Sequence, residues 1–200
     1  MTPPSAASTA ERIQEAALRM FGESGYEGTS LSEIAKEVGI KTPSIYAHFS
    51  SKEQLFIQLC DASMDEERQS FLALLNGSRQ ESGLARLYKA FDFFTAFNHL
   101  TAGVAFLKRA MLVPPRHLRD RLRIAFFEYE TELSGELAKL IVQGRDEGEI
   151  TEQNTDTMLA QFYNAIDGLL VENQLYDVEL FEERRQIVRK SLAAQWTRPL

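Results

Sequence analysis

The chain has 200 residues, 44% hydrophobic and 26% charged, with a formal net charge of −7. This is the composition of a soluble globular protein with room for a small domain and a larger one. No apolar run approaches a membrane span, the opening MTPPSAAS has neither the basic start nor the apolar centre of a signal peptide, and a single cysteine, Cys60, excludes an internal disulfide; a reducing, cytoplasmic setting is expected.

Residues 1–8 read as a flexible arm. Ser8 and Glu11 then open a first helix with the S-x-x-E pattern of a capping box. Ile13, Ala16, Ala17, Met20 and Phe21 share one face at helical spacing, and Gly22 and Gly25 mark the end. The second helix repeats this grammar: Ser30 and Glu33 cap it, Leu31, Ile34, Ala35 and Val38 form its apolar face, and Gly39 stops it. Only Ile40 and Lys41 precede the next start, so the second and third helices meet at a sharp angle, as in a helix-turn-helix.

The third helix is short. Thr42 is placed to cap it, and Pro43 stands at the first helical position, where a missing N–H costs nothing. Ile45 and Phe49, at i and i+4, anchor it to its neighbours. Lys41, Thr42, Ser44, Tyr46, Ala47 and His48 are left off the core face. They are small, polar or basic, as a helix approaching base edges and phosphates requires. Ser50 and Glu53 open a fourth helix with Lys52 in its first turn, where the helix dipole disfavours a cation. A phosphate at that N-terminus would remove the conflict; a solvated lysine on an exposed turn is the other reading. The net acidity at first argues against nucleic acid, but between Ile40 and Lys52 there are two lysines, one histidine and no carboxylate. Charges further away than about 8 Å are largely screened at physiological salt.

The order G-Y-x-x-T-S from Gly25 to Ser30, I-A-x-x-x-G from Ile34 to Gly39, and S-I-Y-x-H-F-x-S-K-E from Ser44 to Glu53 resembles the N-terminal domain of the TetR family of bacterial transcriptional regulators. The resemblance covers roughly the first 60 residues. It implies that Thr29 contacts backbone phosphate, that Lys41, Thr42 and Ser44 face bases or nearby phosphates, that Tyr46 and His48 touch phosphate or a thymine methyl, and that Lys52 holds phosphate. Pro43 belongs to the same DNA-facing segment at a position often glycine in the family; proline keeps the helix start but removes a backbone donor. Bland readings stand beside these: Tyr46 as a half-buried aromatic next to Phe49, His48 as a surface histidine, Thr29 as a helper in capping the second helix.

The rest reads as helices with almost no strand signal. The fourth spans about 51–76, and others follow at about 84–100, 101–112, 115–147, 155–175 and 178–196. Seven of the 13 phenylalanines lie between Phe91 and Phe127. They can form a packed core or line an effector pocket. In the second reading Phe91, Phe94, Phe97, Phe106 and Phe127 are the walls, with Asn98, His99 and Tyr129 as polar contacts. Lys108, Arg109, Arg116, Arg119, Arg121 and Arg123 form either a solvated basic face or an attractor for an anionic effector. Phe162, Ile166, Leu169, Leu170, Ile187, Leu192 and Trp196 stripe the last two helices. They can close the monomer's core or pair with a second copy as a four-helix bundle; the resemblance favours the dimer.

The expected fold is all-α: a three-helix DNA-binding domain over residues 9–62, with its helix-turn-helix at about 31–50, then a larger helical effector-binding and dimerisation domain over 63–200. The expected function is a ligand-responsive regulator, a repressor, that binds a palindromic operator in double-stranded DNA as a homodimer and is released by a small hydrophobic or anionic effector. A dimeric regulator without a small-molecule effector, controlled by a partner protein or by abundance, is the alternative. No cofactor, metal or membrane partner is expected. Catalysis is not expected either: the chain has no glycine-rich phosphate loop, H-E-x-x-H or G-x-S-x-G, and His48, His99 and His117 are scattered.

Overall fold

The computed structural model describes residues 7–197, and of His99 the backbone only. Most of the expected arm therefore lies outside the described residues. Helices run α1 (Thr9–Ser24), α2 (Leu31–Val38), α3 (Thr42–Ile45), α4 (Lys52–Gly77), α5 (Gly83–Phe94), α6 (Ala102–Leu112), α7 (Arg119–Asp146), α8 (Thr155–Glu172) and α9 (Val178–Trp196), with no strand among the described residues. Single 3-10 turns lie at Phe97–His99 and Arg116–Leu118.

Two of the three expected capping boxes form as written. The Ser8 hydroxyl accepts from the Glu11 N–H at 3.2 Å while the Glu11 carboxylate accepts from the Ser8 N–H at 2.6 Å. Ser30 and Glu33 do the same at 3.2 and 2.9 Å. These bonds satisfy N–H groups that the helix cannot, and they hold both carboxyls below the usual carboxylate range. The third box is shifted by one residue. The Ser51 hydroxyl, not that of Ser50, accepts from the Gln54 N–H at 3.0 Å, and the Gln54 amide oxygen reaches back to the Ser50 N–H at 2.6 Å. Glutamine serves the reciprocal role as well as glutamate, so the S-x-x-Q frame wins over S-x-x-E. Gly22 lies inside α1, which closes at Gly25; Gly39 closes α2 in the left-handed region at φ 76°.

α5 stops at Phe94 rather than near residue 100. The Thr95 hydroxyl bonds back to the Phe91 carbonyl at 2.7 Å, and Thr95 caps the helix. A turn then carries Phe97 against the ring of Phe181, 5.8 Å away. Pro114 and Pro115 delay α7 to Arg119, after a 3-10 turn.

The described chain divides into two compact units, with boundaries inside α4 and α7. The first takes in residues up to Glu67 together with Leu100–Phe126, a segment beyond the expected domain boundary at residue 62. Its core joins Ile13, Phe21, Ile34, Ile45, Phe49 and Leu55 to Phe106, Ala110 and Leu118. Phe56 sits between Phe21 and Phe106, edge-to-face with each at 5.1 Å. A buried ion pair, Lys108 Nζ to Glu67 Oε1 at 2.8 Å, ties α6 to α4. Lys108 is thus a core contact, not part of a solvated basic face.

The second unit comprises Arg68–His99 and Phe127–Leu200. Phe91 and Phe94 pack on Phe162, which stacks on Trp196. α5 meets α7 at a point where only glycine fits: a Cβ on Gly83 would lie 2.3 Å from the Gly144 nitrogen and 2.5 Å from the Leu140 carbonyl.

Candidate nucleic-acid interface

The face that α3 presents follows from which of its side chains the head consumes. Ile45 is fully buried and Phe49 nearly so, at 0% and 3% exposure. With those two pinned, the short helix and the turn after it must turn Lys41, Pro43, Ser44, Tyr46, Ala47 and His48 outward; all are exposed, Tyr46 at 57%, and Thr42 is half-buried. Tyr46 is therefore no packing partner of the core. The helix starts one residue earlier than expected. Lys41, with extended backbone, is its N-cap and makes no side-chain cap bond, so Thr42 and Pro43 are its first two residues. Regular helix covers only Thr42–Ile45; a turn carries the chain to His48, whose N–H donates to Ile45 at 2.9 Å.

Thr29 and Lys52 both make hydrogen bonds to backbone carbonyls of the head. Thr29 is 2% exposed, and its hydroxyl donates to the carbonyls of Gly25 at 2.9 Å and Met20 at 3.1 Å. Its side chain clasps the end of α1. The Lys52 ammonium donates to the carbonyls of Tyr26 at 2.8 Å and Thr29 at 2.9 Å, and lies 4.0 Å from the centre of the Tyr26 ring. A lysine at a helix N-terminus is tolerated here because its charge is spent on the carbonyls of the α1–α2 turn. Arg12 supports the motif from the other side, donating to the Val38 carbonyl at the end of α2. These clasps join residues 23 to 26 positions apart. No local pattern announces them.

Of the expected effector-pocket residues, Phe91 and Phe94 meet on the ring of Phe162. Phe91, Phe94 and Phe97 are buried among other rings of the second unit. Phe106 belongs to the core of the first unit. Phe127 is 71% exposed, Asn98 is exposed and Tyr129 half-buried; the side chain of His99 lies outside the described set. The expected dimer stripe also turns mostly inward: Phe162, Ile166, Leu169, Leu170, Leu192 and Trp196 are buried in the monomer, and Ile187 alone of the seven is exposed, at 59%. Helical period locates the apolar stripe but not which body covers it. The large apolar side chains that α8, α9 and the turn between them do expose are Val171, Leu175, Tyr176, Val178, Leu180 and Ile187.

No group of three or more metal-ligating side chains occurs among the described residues, and no described helix is long and apolar enough to cross a membrane. Cys60 is buried, and burial pushes its thiol up to about 12, so it is held protonated.

Residues 13–59 match the family model of "Bacterial regulatory proteins, tetR family". Over 84 residues the chain is 33% identical to the biofilm operon icaADBC HTH-type negative transcriptional regulator IcaR of Staphylococcus aureus (strain Newman), a match covering 42% of this chain and 44% of that one. The chain thus matches less than half the length of that relative. It is 28% identical over 154 residues to the HTH-type transcriptional repressor ComR of Escherichia coli (strain K12), covering 75% and 71% of the two chains. A transcriptional regulator from Saccharomonospora viridis, solved in complex with choline, superposes with a TM-score of 0.74 at 19% identity over 95% of this chain and 98% of that one, a likeness of fold.

Proposed function

The chain belongs to the tetR family of bacterial regulatory proteins, and on that premise we propose that it is a DNA-binding transcriptional repressor that acts as a homodimer and responds to a small molecule. The observation that carries the DNA-binding part is the outward face of α3: Lys41, Ser44, Tyr46 and His48 stand exposed while Ile45 and Phe49 are buried beneath them. The exposed turn, with no carboxylate from Ile40 to Lys52, suits approach to a phosphate backbone. Lys41 supplies charge and His48 a hydrogen-bond donor; Ser44 and Tyr46 reach base edges or phosphate. Pro43 adds an apolar surface without a donor. Thr29 and Lys52 act indirectly, by fixing the turn that carries α2 and α3.

One such helix reads only a few base pairs, so a two-fold dimer on a palindrome is the natural reader. The exposed apolar side chains of α8 and α9, Ile187 among them, suit the dimer contact. Repression is supported by the negative regulators to which the chain is similar, and responsiveness to a small molecule by the choline complex of the structural neighbour. The test is selection of binding sites from random duplex DNA, followed by affinity measurements over a salt series. Lys41→Ala is expected to lower the salt slope by roughly 0.9, the loss of one phosphate contact. Failure to select any duplex at low ionic strength refutes the reading.

A second reading, a dimeric regulator without a small-molecule effector, is favoured by one observation. The phenylalanines expected to line a pocket in the second unit are packed ring against ring, with Phe71 and Phe94 centred 4.9 Å apart. Ligand titration separates the two.

A further inference from the structure

We propose that the first unit carries a binding site for a small organic anion with a flat apolar body, in a cleft of about 360 Å³ floored by Phe21, Phe56 and Phe106 and rimmed by Arg109, Arg116 and Arg119. The cleft is distinct from the phenylalanine cluster of the second unit. Its volume falls at the lower end of the range of small-molecule sites, about 300 to 1,000 Å³.

The floor is apolar for a structural reason. Phe56 meets both Phe21 and Phe106 edge-to-face, and the three rings, 1 to 2% exposed, close the bottom of the cleft. Ala110, Val113 and Pro114 line the cleft beside the rings, so a flat apolar body laid there meets mostly carbon. The rim is set by the proline pair: Pro114 and Pro115 end α6 and turn the chain, so that Arg116 and Arg119 stand at the same opening as Arg109. Among the described residues none of these three guanidinium groups has a carboxylate partner. Arg109 lies along the Gly25 backbone, within 3.4 Å of where a Cβ would stand. Glu27 is the carboxylate on the same rim, which leaves an excess of two positive charges. A carboxylate is met by the guanidinium fork in bidentate fashion, and the guanidinium plane also stacks on a flat ring.

The site has a route to α3, a step that rests on the DNA-binding reading. Tyr26 forms one wall, stacked on Phe21 with centroids 6.0 Å apart, and Lys52 ties its carbonyl to the first residue of α4. An occupant that moves Tyr26 moves the clasp that sets the turn after α3. The coupling is limited by the ligand's difference in affinity between the free and DNA-bound chain.

The test is calorimetric titration of the full chain with 1-naphthoate and with the neutral 1-naphthylmethanol at moderate salt. The acid is expected to bind at least tenfold more tightly than the alcohol. The double variant Arg109→Ala with Arg116→Ala removes that preference. Val113→Trp, an exposed position lining the cleft, weakens both ligands tenfold or more without touching a charge. No binding of the acid up to millimolar concentration, equal affinity for acid and alcohol, or unchanged binding of the acid in these variants overturns the site. In a second arm, saturating naphthoate changes the affinity for a selected duplex at least threefold, and Tyr26→Leu abolishes the change. Naphthoate bound with no effect on the duplex overturns the coupling. A chain that binds naphthoate but no duplex overturns the DNA-binding reading and leaves the site standing.

Discussion

Replacing Lys52 by methionine separates two roles that the sequence leaves open, a phosphate contact and an internal clasp. Methionine keeps much of the apolar stem and removes the ammonium. The Tyr26 and Thr29 carbonyls then lose donors at 2.8 and 2.9 Å, and the Tyr26 ring loses the cation 4.0 Å from its centre. A hydrogen bond from a charged group contributes about 1.5 to 3 kcal/mol, and an exposed cation–π contact about 0.5 to 1 kcal/mol. Lys52 is only half-buried, and water takes over part of the lost bonding, so the summed cost is about 2 to 3 kcal/mol. For a chain of this size that lowers the melting temperature by roughly 4 to 12 °C if it unfolds as one body. The assay is thermal unfolding by circular dichroism, paired with the salt dependence of duplex binding. The slope of the binding curve is expected to change by less than the roughly 0.9 of a single phosphate contact. An unmoved melting temperature with a slope lowered by that full amount would refute the clasp and restore the phosphate role.

The other predictions address the remaining parts. Ile45→Ala, at a fully buried position, destabilises the head by about 2 to 5 kcal/mol in denaturant titration and abolishes duplex binding with it. Tyr46→Ala, at a position 57% exposed, leaves stability within about 0.5 kcal/mol and weakens duplex binding by about tenfold in a fluorescence-anisotropy assay. Ile187→Glu leaves the fold intact and gives a monomer at micromolar concentration by sedimentation. Glu182 accepts hydrogen bonds from Arg185 at 2.7 and 2.8 Å and from Gln186 at 2.8 Å, which hold its carboxyl down at about 2. Its contribution is therefore fully present above its ordinary 4.5 and is lost as pH falls through about 2. Glu182→Gln flattens that part of the acid limb of a stability-against-pH curve.

How much of the site can be read from the chain alone depends on the range of the interaction. Ser8 with Glu11 and Ser30 with Glu33 are three residues apart, and both boxes form. The burial of Ile45 and Phe49 follows from their i, i+4 spacing and turns the intervening residues outward. Where two local frames compete, as at Ser50 and Ser51, pattern alone does not choose between them. The carbonyl partners of Lys52 were not legible, because they lie 23 and 26 residues away and backbone carbonyls carry no residue code.

What the amino-acid order determined by itself is therefore the helical grammar and the composition of the outward face of α3, since both arise from contacts within a turn or two of helix. The tertiary structure decided which apolar stripes are consumed inside the monomer and which remain exposed. It placed Phe106 in the core of the first unit, set Lys108 against Glu67, and gathered three arginines around one apolar floor. The physical reason is that helical periodicity states only that one face avoids water; which surface covers that face is settled by the packing of segments far apart along the chain.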